Sequence, residues 1–225
     1  MQVLALDTST NHLSVALLKD REALCELNLL VKAGHAGMIL AVIDEVIAKS
    51  GTDKSSIGLI AAGTGPGSFT GIRIGLATAK GLSESLGCPL AGIPTPDIMA
   101  RSALPLPMQV MPVLDAKKGE VFCALYAQDG SRLTPLMNLR PHEIAERIGE
   151  DTLFIGNGCD LYRDVFRRTL GGRYHEGPAP LWHPRASVLG LMALDMPQAA
   201  SARDILPIYV RASDATLLLE RSAKR

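Results

Sequence analysis

The sequence predicts a duplicated α/β fold of two lobes, each a mixed sheet with flanking helices. Three observations carry that expectation. Apolar segments alternate between strand-like runs and runs at helical spacing. Tight turns join the first strand runs of each half, as in antiparallel meanders. The proline-rich interval Leu104-Pro105-Leu106-Pro107 separates two halves with the same order of elements. The expected lobes span residues 1–104 and 105–225, the second shorter than the first.

In the first half, Val3-Leu4-Ala5-Leu6 is an apolar run ending in Asp7, and Thr8-Ser9-Thr10-Asn11 supplies turn chemistry. His12 to Leu18 and Glu22 to Leu30 complete a three-stranded meander around the turn Lys19-Asp20. From Ala36 the period changes: Ile39, Val42, Ile43, Val46 and Ile47 recur at helical spacing until Gly51. Ile57 to Ala62 is apolar without alternation, as in a buried parallel strand. A glycine-rich turn, a helix from about Gly71 to Leu86 and a strand over Pro89 to Ile93 follow.

The second half repeats this order. Strands are expected over Val110–Leu114, Val121–Ala127 and Thr134–Leu139, with Asp115-Ala116-Lys117-Lys118-Gly119 as the first turn. Pro141 opens a helix where its missing N–H costs little. Leu153-Phe154-Ile155 is a strand and Cys159 to Leu170 a helix. Leu189 to Leu194 has helix character, and Ile208-Tyr209-Val210 is extended.

Composition narrows the function. Of the 225 residues 20% are charged and 47% hydrophobic, which suits a folded chain with a full core. Lys plus Arg and Asp plus Glu are both 23, and aromatic residues are 4%, so neither a basic face nor stacking platforms favour autonomous nucleic-acid binding. Arg163, Arg167, Arg168 and Arg173 read as a solvated helix face, and Arg221, Lys224 and Arg225 as a frayed tail. Cys25, Cys88, Cys123 and Cys159 form no close pair, which argues against zinc or a disulfide framework and fits a reducing cytosol. The start lacks the basic flank of a signal peptide, and the uncharged stretch Ser55–Ile72 is broken by glycines and Pro66, so no membrane segment is expected.

Two loops are candidate anion sites. Asp7, Thr8 and Ser9 close the first strand with small hydroxyl side chains at a hairpin, chemistry that can hold phosphates or simply cap a turn. Gly65, Gly67, Ser68 and Thr70 lie between a buried strand and a helix N-terminus, where free amides and the helix dipole favour an anion. The turn is not a P-loop, because no Lys-Ser or Lys-Thr follows its glycine. Taken alone it suits an anion site and a purely structural turn equally. The histidines His12, His35, His142, His175 and His183 show no metal-ligand spacing.

The two first-half helices suggest a partner surface. The first is apolar over more than one stripe, with Leu40 and Ile47 beside the main one. The second places small residues at Gly71, Gly75, Thr78, Ala79 and Gly81 among Ile72, Ile74, Leu76 and Leu82, which lets another helix approach closely. The expected interface comprises His35, Ile39, Val42, Ile43, Val46, Ile72, Gly75, Leu76 and Ala79.

On these residues the chain resembles the TsaB family, also called YeaZ, a degenerate relative of the TsaD enzymes. Leu6-Asp7-Thr8-Ser9 is similar to the family's opening and His35 to its lone histidine. Gly65-Pro66-Gly67-Ser68-Phe69-Thr70-Gly71-Ile72-Arg73-Ile74-Gly75 is similar to its most specific signature. The turn and strand from Asp115 to Phe122 are similar to its second hairpin, and Pro207-Ile208-Tyr209-Val210-Arg211 to its closing motif. The resemblance implies an actin-like (ASKHA, ribonuclease-H-like) fold. It implies a non-catalytic scaffold or activator that binds TsaD, and through it the ATPase TsaE, while TsaD transfers threonylcarbamoyl to the tRNA adenosine beside the anticodon. TsaD-type enzymes hold their metal with a histidine pair soon after the glycine turn; here Ile93-Pro94-Thr95-Pro96-Asp97-Ile98-Met99-Ala100 holds none, so no metal is expected. Contact with tRNA would be indirect, a second copy of this chain would use the TsaD surface, and no membrane is implied. No cofactor is required, ATP or ADP would bind weakly, and the implied location is the cytoplasm. The rivals are a nucleotide-sensing module, an ATP-dependent small-molecule kinase of the same fold and a metalloprotease. The kinase needs an aspartate that Gly63-Thr64-Gly65-Pro66 does not offer, and the protease lacks its ligands.

Overall fold

A computed structural model describes residues 1–31, 34–196 and 202–211; the basic end at Arg221, Lys224 and Arg225 lies outside the described residues. The first sheet is built from β1 (Gln2–Asp7), β2 (His12–Lys19), β3 (Glu22–Leu30), β4 (Ile57–Gly63) and β5 (Leu90–Ile93), in the order β3-β2-β1-β4-β5. β1 pairs antiparallel with β2 and parallel with β4. β4 sits between two parallel neighbours, which is why its run needs no polar alternation.

The second sheet uses β6 (Gln109–Lys117), β7 (Glu120–Cys123), β8 (Met137–Leu139), β9 (Thr152–Ile155) and β10 (Tyr174–Glu176). Its order β10-β9-β6-β7-β8 is that of the first sheet read in reverse, with the same parallel and antiparallel neighbours. The duplication therefore extends to strand pairing. The helix expected after Pro141 is a 3-10 helix over Pro141–Arg147, and β10 is a strand that its three residues did not announce.

Helices α1 (Ile39–Ser50) and α2 (Phe69–Leu86) cover one face of the first sheet. Five α1 side chains, Ile39, Val42, Ile43, Val46 and Ile47, are buried there, each stabilising the fold by roughly 1.5–3 kcal/mol. Left-handed glycines, Gly51 at φ 67° and Gly87 at φ 64°, end the two helices. α3 (Thr95–Ser102) joins the lobes: Ile98 belongs to the core under the first sheet, while Met99 and Ala100 pack into the core of the second. Helix α4 (Gly158–Leu170) covers the second sheet, with Phe166 and Leu170 against Phe154 and Tyr174.

Helix α5 (Ala186–Leu194) falls in the second half of the chain but packs on the free face of the first sheet. Its approach is fastened at several points. The Ala186 N–H donates to Ser14 Oγ at 2.8 Å, and the Ser187 N–H donates to Glu26 Oε1 at 3.0 Å. Arg185 pairs with Glu26, and the rings of His12 and His183 stack with centroids 3.3 Å apart. Burial would raise the Glu26 carboxyl, but Arg185 and the Ser187 N–H outweigh it and hold the group below the usual range. The segment 202–211 then crosses back over both lobes: Ile205 joins the first core, the Ile208 N–H donates to the Thr64 carbonyl at 2.8 Å, and Arg211 pairs with Glu120. No helix of the described residues is long and apolar enough to cross a membrane.

Candidate functional site

β1, β3 and β4 run in one direction, so the first hairpin turn, the end of β3 and the glycine turn all emerge at one end of the first sheet. The starts of α1 and α2 lie there too. This end faces the second lobe's turns across a cleft of about 500 Å³.

The two candidate loops of the first lobe are locked together. The Ser68 N–H donates to the Ser9 carbonyl at 2.7 Å, and Thr8 Oγ1 donates to the Gly71 carbonyl at 2.7 Å. A Cβ at Gly67 would lie 2.1 Å from the Ser9 carbonyl oxygen, and one at Gly71 would lie 2.1 Å from that of Thr8. Only glycine fits such contacts. Close packing of one turn on the other therefore requires both glycines, whatever the cleft holds.

This packing corrects part of the expected anion site. Ser9, Gly67, Ser68 and Thr70 line the cleft, whereas Asp7, Thr8 and Gly65 do not. The Asp7 carboxyl is 1% exposed and accepts from the Ser9 N–H at 2.9 Å and Ser9 Oγ at 2.7 Å, with Thr95 Oγ1 at 3.4 Å. Its burial raises the carboxyl above its ordinary value, only partly offset by these donors. Thr8 spends its hydroxyl on Gly71, and the Gly65 carbonyl accepts from the Thr95 N–H at 2.8 Å. All three are bonded within the protein, away from the cleft lining.

The cleft draws in residues that sequence reasoning did not assign to a site. Asn157, from the Gly156-Asn157-Gly158 turn, accepts the Asp115 N–H at 3.0 Å through Oδ1. Lys117 reaches back to its neighbour Asp115 at 2.6 Å, and Arg211 enters from the closing segment. The turn from Asp115 to Gly119 was conspicuous as a motif, but its convergence with Asn157 and Arg211 on one space depends on how the lobes pair.

His35 also belongs to the cleft wall. It is 7% exposed, and its Nε2–H donates to the Thr10 carbonyl at 2.8 Å, tying the start of α1 to the first hairpin turn. Its Nδ1 is buried with no protein partner.

The expected partner residues need a second correction. Ile39, Val42, Ile43, Val46, Ile72, Leu76 and Ala79 are all below 5% exposed, and Gly75 and His35 are also buried. Their helical spacing marks the side of each helix that faces its own sheet. The outer surface is formed by other residues. On α1 these are Leu40, 60% exposed, with Ala41, Asp44 and Ala48; on α2 they are Arg73, Ala77 and Gly81. Met38 and Phe69 extend this surface at the cleft end. Arg73 lies over the Phe69 ring at 3.8 Å from its centroid and donates through Nε to the Tyr209 hydroxyl at 2.8 Å. An aromatic and guanidinium cluster of this kind is typical of protein-binding hot spots.

Fold and cleft together define the class. Two lobes of one strand order face each other across a cleft lined by their turns, which is the duplicated actin-like architecture. Residues 29–192, well over half of the chain, match the family described as TsaD: tRNA N6-adenosine threonylcarbamoyltransferase. The chain belongs more closely to the TsaB family. It is 33% identical over 175 residues to the Escherichia coli tRNA threonylcarbamoyladenosine biosynthesis protein TsaB, covering 73% of this chain and 75% of that one. It is 31% identical to the Haemophilus influenzae TsaB, with 94% of each chain covered, and 27% identical to the Bacillus subtilis TsaB, with 96% of each covered. Among solved structures, YeaZ from Pseudomonas aeruginosa superposes with a TM-score of 0.77 at 28% identity, covering 92% of this chain and 99% of that one. The (R)-2-hydroxyglutaryl-CoA dehydratase component A of Acidaminococcus fermentans shares the fold at 13% identity, with a TM-score of 0.55 over 87% of this chain and 98% of that one.

Proposed function

We propose that the chain works in the biosynthesis of threonylcarbamoyladenosine in tRNA as a non-catalytic subunit. It docks a TsaD-type transferase, and through it TsaE, on the outer faces of α1 and α2. The observation that carries this reading is the exposed apolar surface around Leu40, continued by Met38 and Phe69 and flanked by the small residues Ala41, Ala77 and Gly81. Small outward residues on two helices that share a sheet let partner helices lie close. The family relationship supplies the kind of partner.

The absence of a catalytic role is supported by Asp7. Its carboxyl is sealed under the interlocked turns and occupied by Ser9, so it presents no base to a substrate in the cleft. The test is co-elution of Leu40→Asp and Ala77→Asp with a TsaD-type protein. Both sites are exposed, so thermal stability should stay within about 0.5 kcal/mol of wild type. Complex formation should fall by at least about tenfold. Wild-type assembly by both variants would place the interface elsewhere. Val42→Arg, by contrast, would force a charge into the core and report on folding alone.

A further inference from the structure

Phe69, Arg73, Ala77 and Gly81 follow one another at four-residue spacing and form a ridge along the outer side of α2. All four are exposed. Ala77 and Gly81 are small, so a helix laid along the ridge can come close, but it must then cross Arg73. The docking surface therefore contains a cation, whose surroundings decide what a partner must carry opposite it.

Arg73 is held in place but not neutralised. Its guanidinium carbon lies 3.8 Å from the centroid of the Phe69 ring and 5.8 Å from that of Tyr209, the two cation–ring contacts among the described residues. Nε donates to the Tyr209 hydroxyl at 2.8 Å. These contacts aim the side chain and leave its two Nη groups as a fork of donors. No carboxylate among the described residues bonds Arg73. Its charged neighbours on the surface differ in this respect. On the outer side of α1, Asp44 pairs with Lys54 at 2.7 Å and Glu45 with Lys49 at 3.6 Å, and in the closing segment Arg211 pairs with Glu120.

In water an unmatched guanidinium is solvated. Under a partner helix it is not, and a charge taken out of water without a counter-charge opposes association. A carboxylate on two parallel N–H donors, beside aromatic rings that exclude water, favours it. Phe69 and Tyr209, 39% and 42% exposed, supply those rings.

We propose that Arg73 is the receptor for an Asp or Glu side chain of the protein partner, gripped end-on by Nη1 and Nη2 beside Phe69 and Tyr209. This inference rests on the docking of a TsaD-type protein on α1 and α2, and it names the chemistry that this surface selects. A partner face without an acid at this point is rejected, because it would bury the arginine unpaired.

The experiment measures the dissociation constant of a TsaD-type protein for the full chain and for Arg73→Gln, Arg73→Lys, Arg73→Glu and Tyr209→Phe, each verified as folded. Leu40→Asp serves as the control for the surface itself. Arg73→Gln should weaken binding by about tenfold or more, and Arg73→Glu by about a hundredfold. Arg73→Lys keeps the charge but loses the fork, and should fall between wild type and Arg73→Gln. Tyr209→Phe keeps the ring and leaves the fork free, and should weaken binding by less than about threefold. Each exposed acidic residue of the partner is then reversed to arginine against Arg73→Glu, and one reversal should restore about tenfold or more. Wild-type binding by Arg73→Glu overturns the inference. If Leu40→Asp is then impaired, the docking surface stands without the acid; if it is not, both readings fall. Equal losses in Arg73→Gln and Tyr209→Phe also overturn it, because the arginine would then serve only to hold the closing segment. So does a full set of reversals in which none restores binding.

Discussion

The two lobes share one strand order but not one size, and the difference separates what the fold needs from what the first lobe adds. The meander strands of the first lobe have 6, 8 and 9 residues; those of the second have 9, 4 and 3. Where the first lobe carries the 12-residue α1, the second has only the seven-residue 3-10 helix at Pro141–Arg147. The helices after the glycine turns run 18 residues in α2 and 13 in α4. The hairpin turns are nevertheless built alike. Asp7 accepts the N–H of Ser9 and Asp115 that of Lys117, each two residues on. In the first lobe the partner is a serine and the carboxyl is sealed; in the second it is an exposed lysine. The second lobe is a minimal copy that closes the cleft, while the first has two full helices whose outward residues include the exposed Leu40, Ala41 and Ala77.

Substitutions that touch the interlocked turns should have the largest effect. Gly71→Val drives a side chain into the Thr8 carbonyl and should cost about 3 kcal/mol or more. Gly81→Ala, on the same helix with open space around it, should instead stabilise by about 0.5–1 kcal/mol. Chemical denaturation of both variants checks the pair; equal effects would mean that the turns are not interlocked in solution.

Acid should next reveal the point where the chain returns from the second lobe to the first. Burial and its stacked neighbour His12 lower His183 to about 4, and burial lowers His12. Both rings are thus favoured neutral in the fold. The unfolded chain binds protons first as pH falls below about 6.5, so stability is full above that value and declines towards about pH 4. Because the rings are partly exposed the loss should be modest, about 1–2 kcal/mol. His183→Phe should flatten this profile, as measured by denaturation at pH 7 and pH 5; an unchanged slope would remove the stack as its source.

Smaller effects are expected at the two hairpin carboxylates, Asp7 and Asp115. The raised carboxyl of Asp7 means that the neutral acid is the form the fold favours, so its contribution is full below its unfolded value of 3.8 and is lost as pH rises. Asp7→Asn, which keeps an acceptor for the Ser9 N–H, should be neutral or stabilising by about 1 kcal/mol at pH 7 and lose that advantage near pH 3. Asp115→Asn breaks only a pair with an exposed lysine and should change stability by less than about 0.5 kcal/mol.

Most of the architecture was legible in the sequence, and the gaps have physical causes. β4, α1, α2 and α4 were plain because each carries a long periodic or uniformly apolar run. α3 was hidden because Pro94 and Pro96 frame its start and its eight residues divide their contacts between two lobes. The candidate interface failed for a more general reason. Periodicity identifies the apolar side of a helix, and here that side faces the chain's own sheet, while the exposed Leu40 lies off that stripe on the outer surface. The cleft was half visible. Ser9, Gly67, Ser68 and Thr70 stood out as turn chemistry, but Asn157 and Arg211 reach it only through the pairing of the lobes.

The comparison of lobes is tested most directly by two exposed leucines, Leu40 on α1 and Leu161 on α4, which are 60% and 56% exposed. The measurement is the dissociation constant for a TsaD-type partner of Leu40→Asp and Leu161→Asp, each verified as folded. The account predicts a loss of about tenfold to a hundredfold for Leu40→Asp and less than about twofold for Leu161→Asp. Equal affinity of Leu40→Asp and wild type, or a larger loss at Leu161, would contradict it.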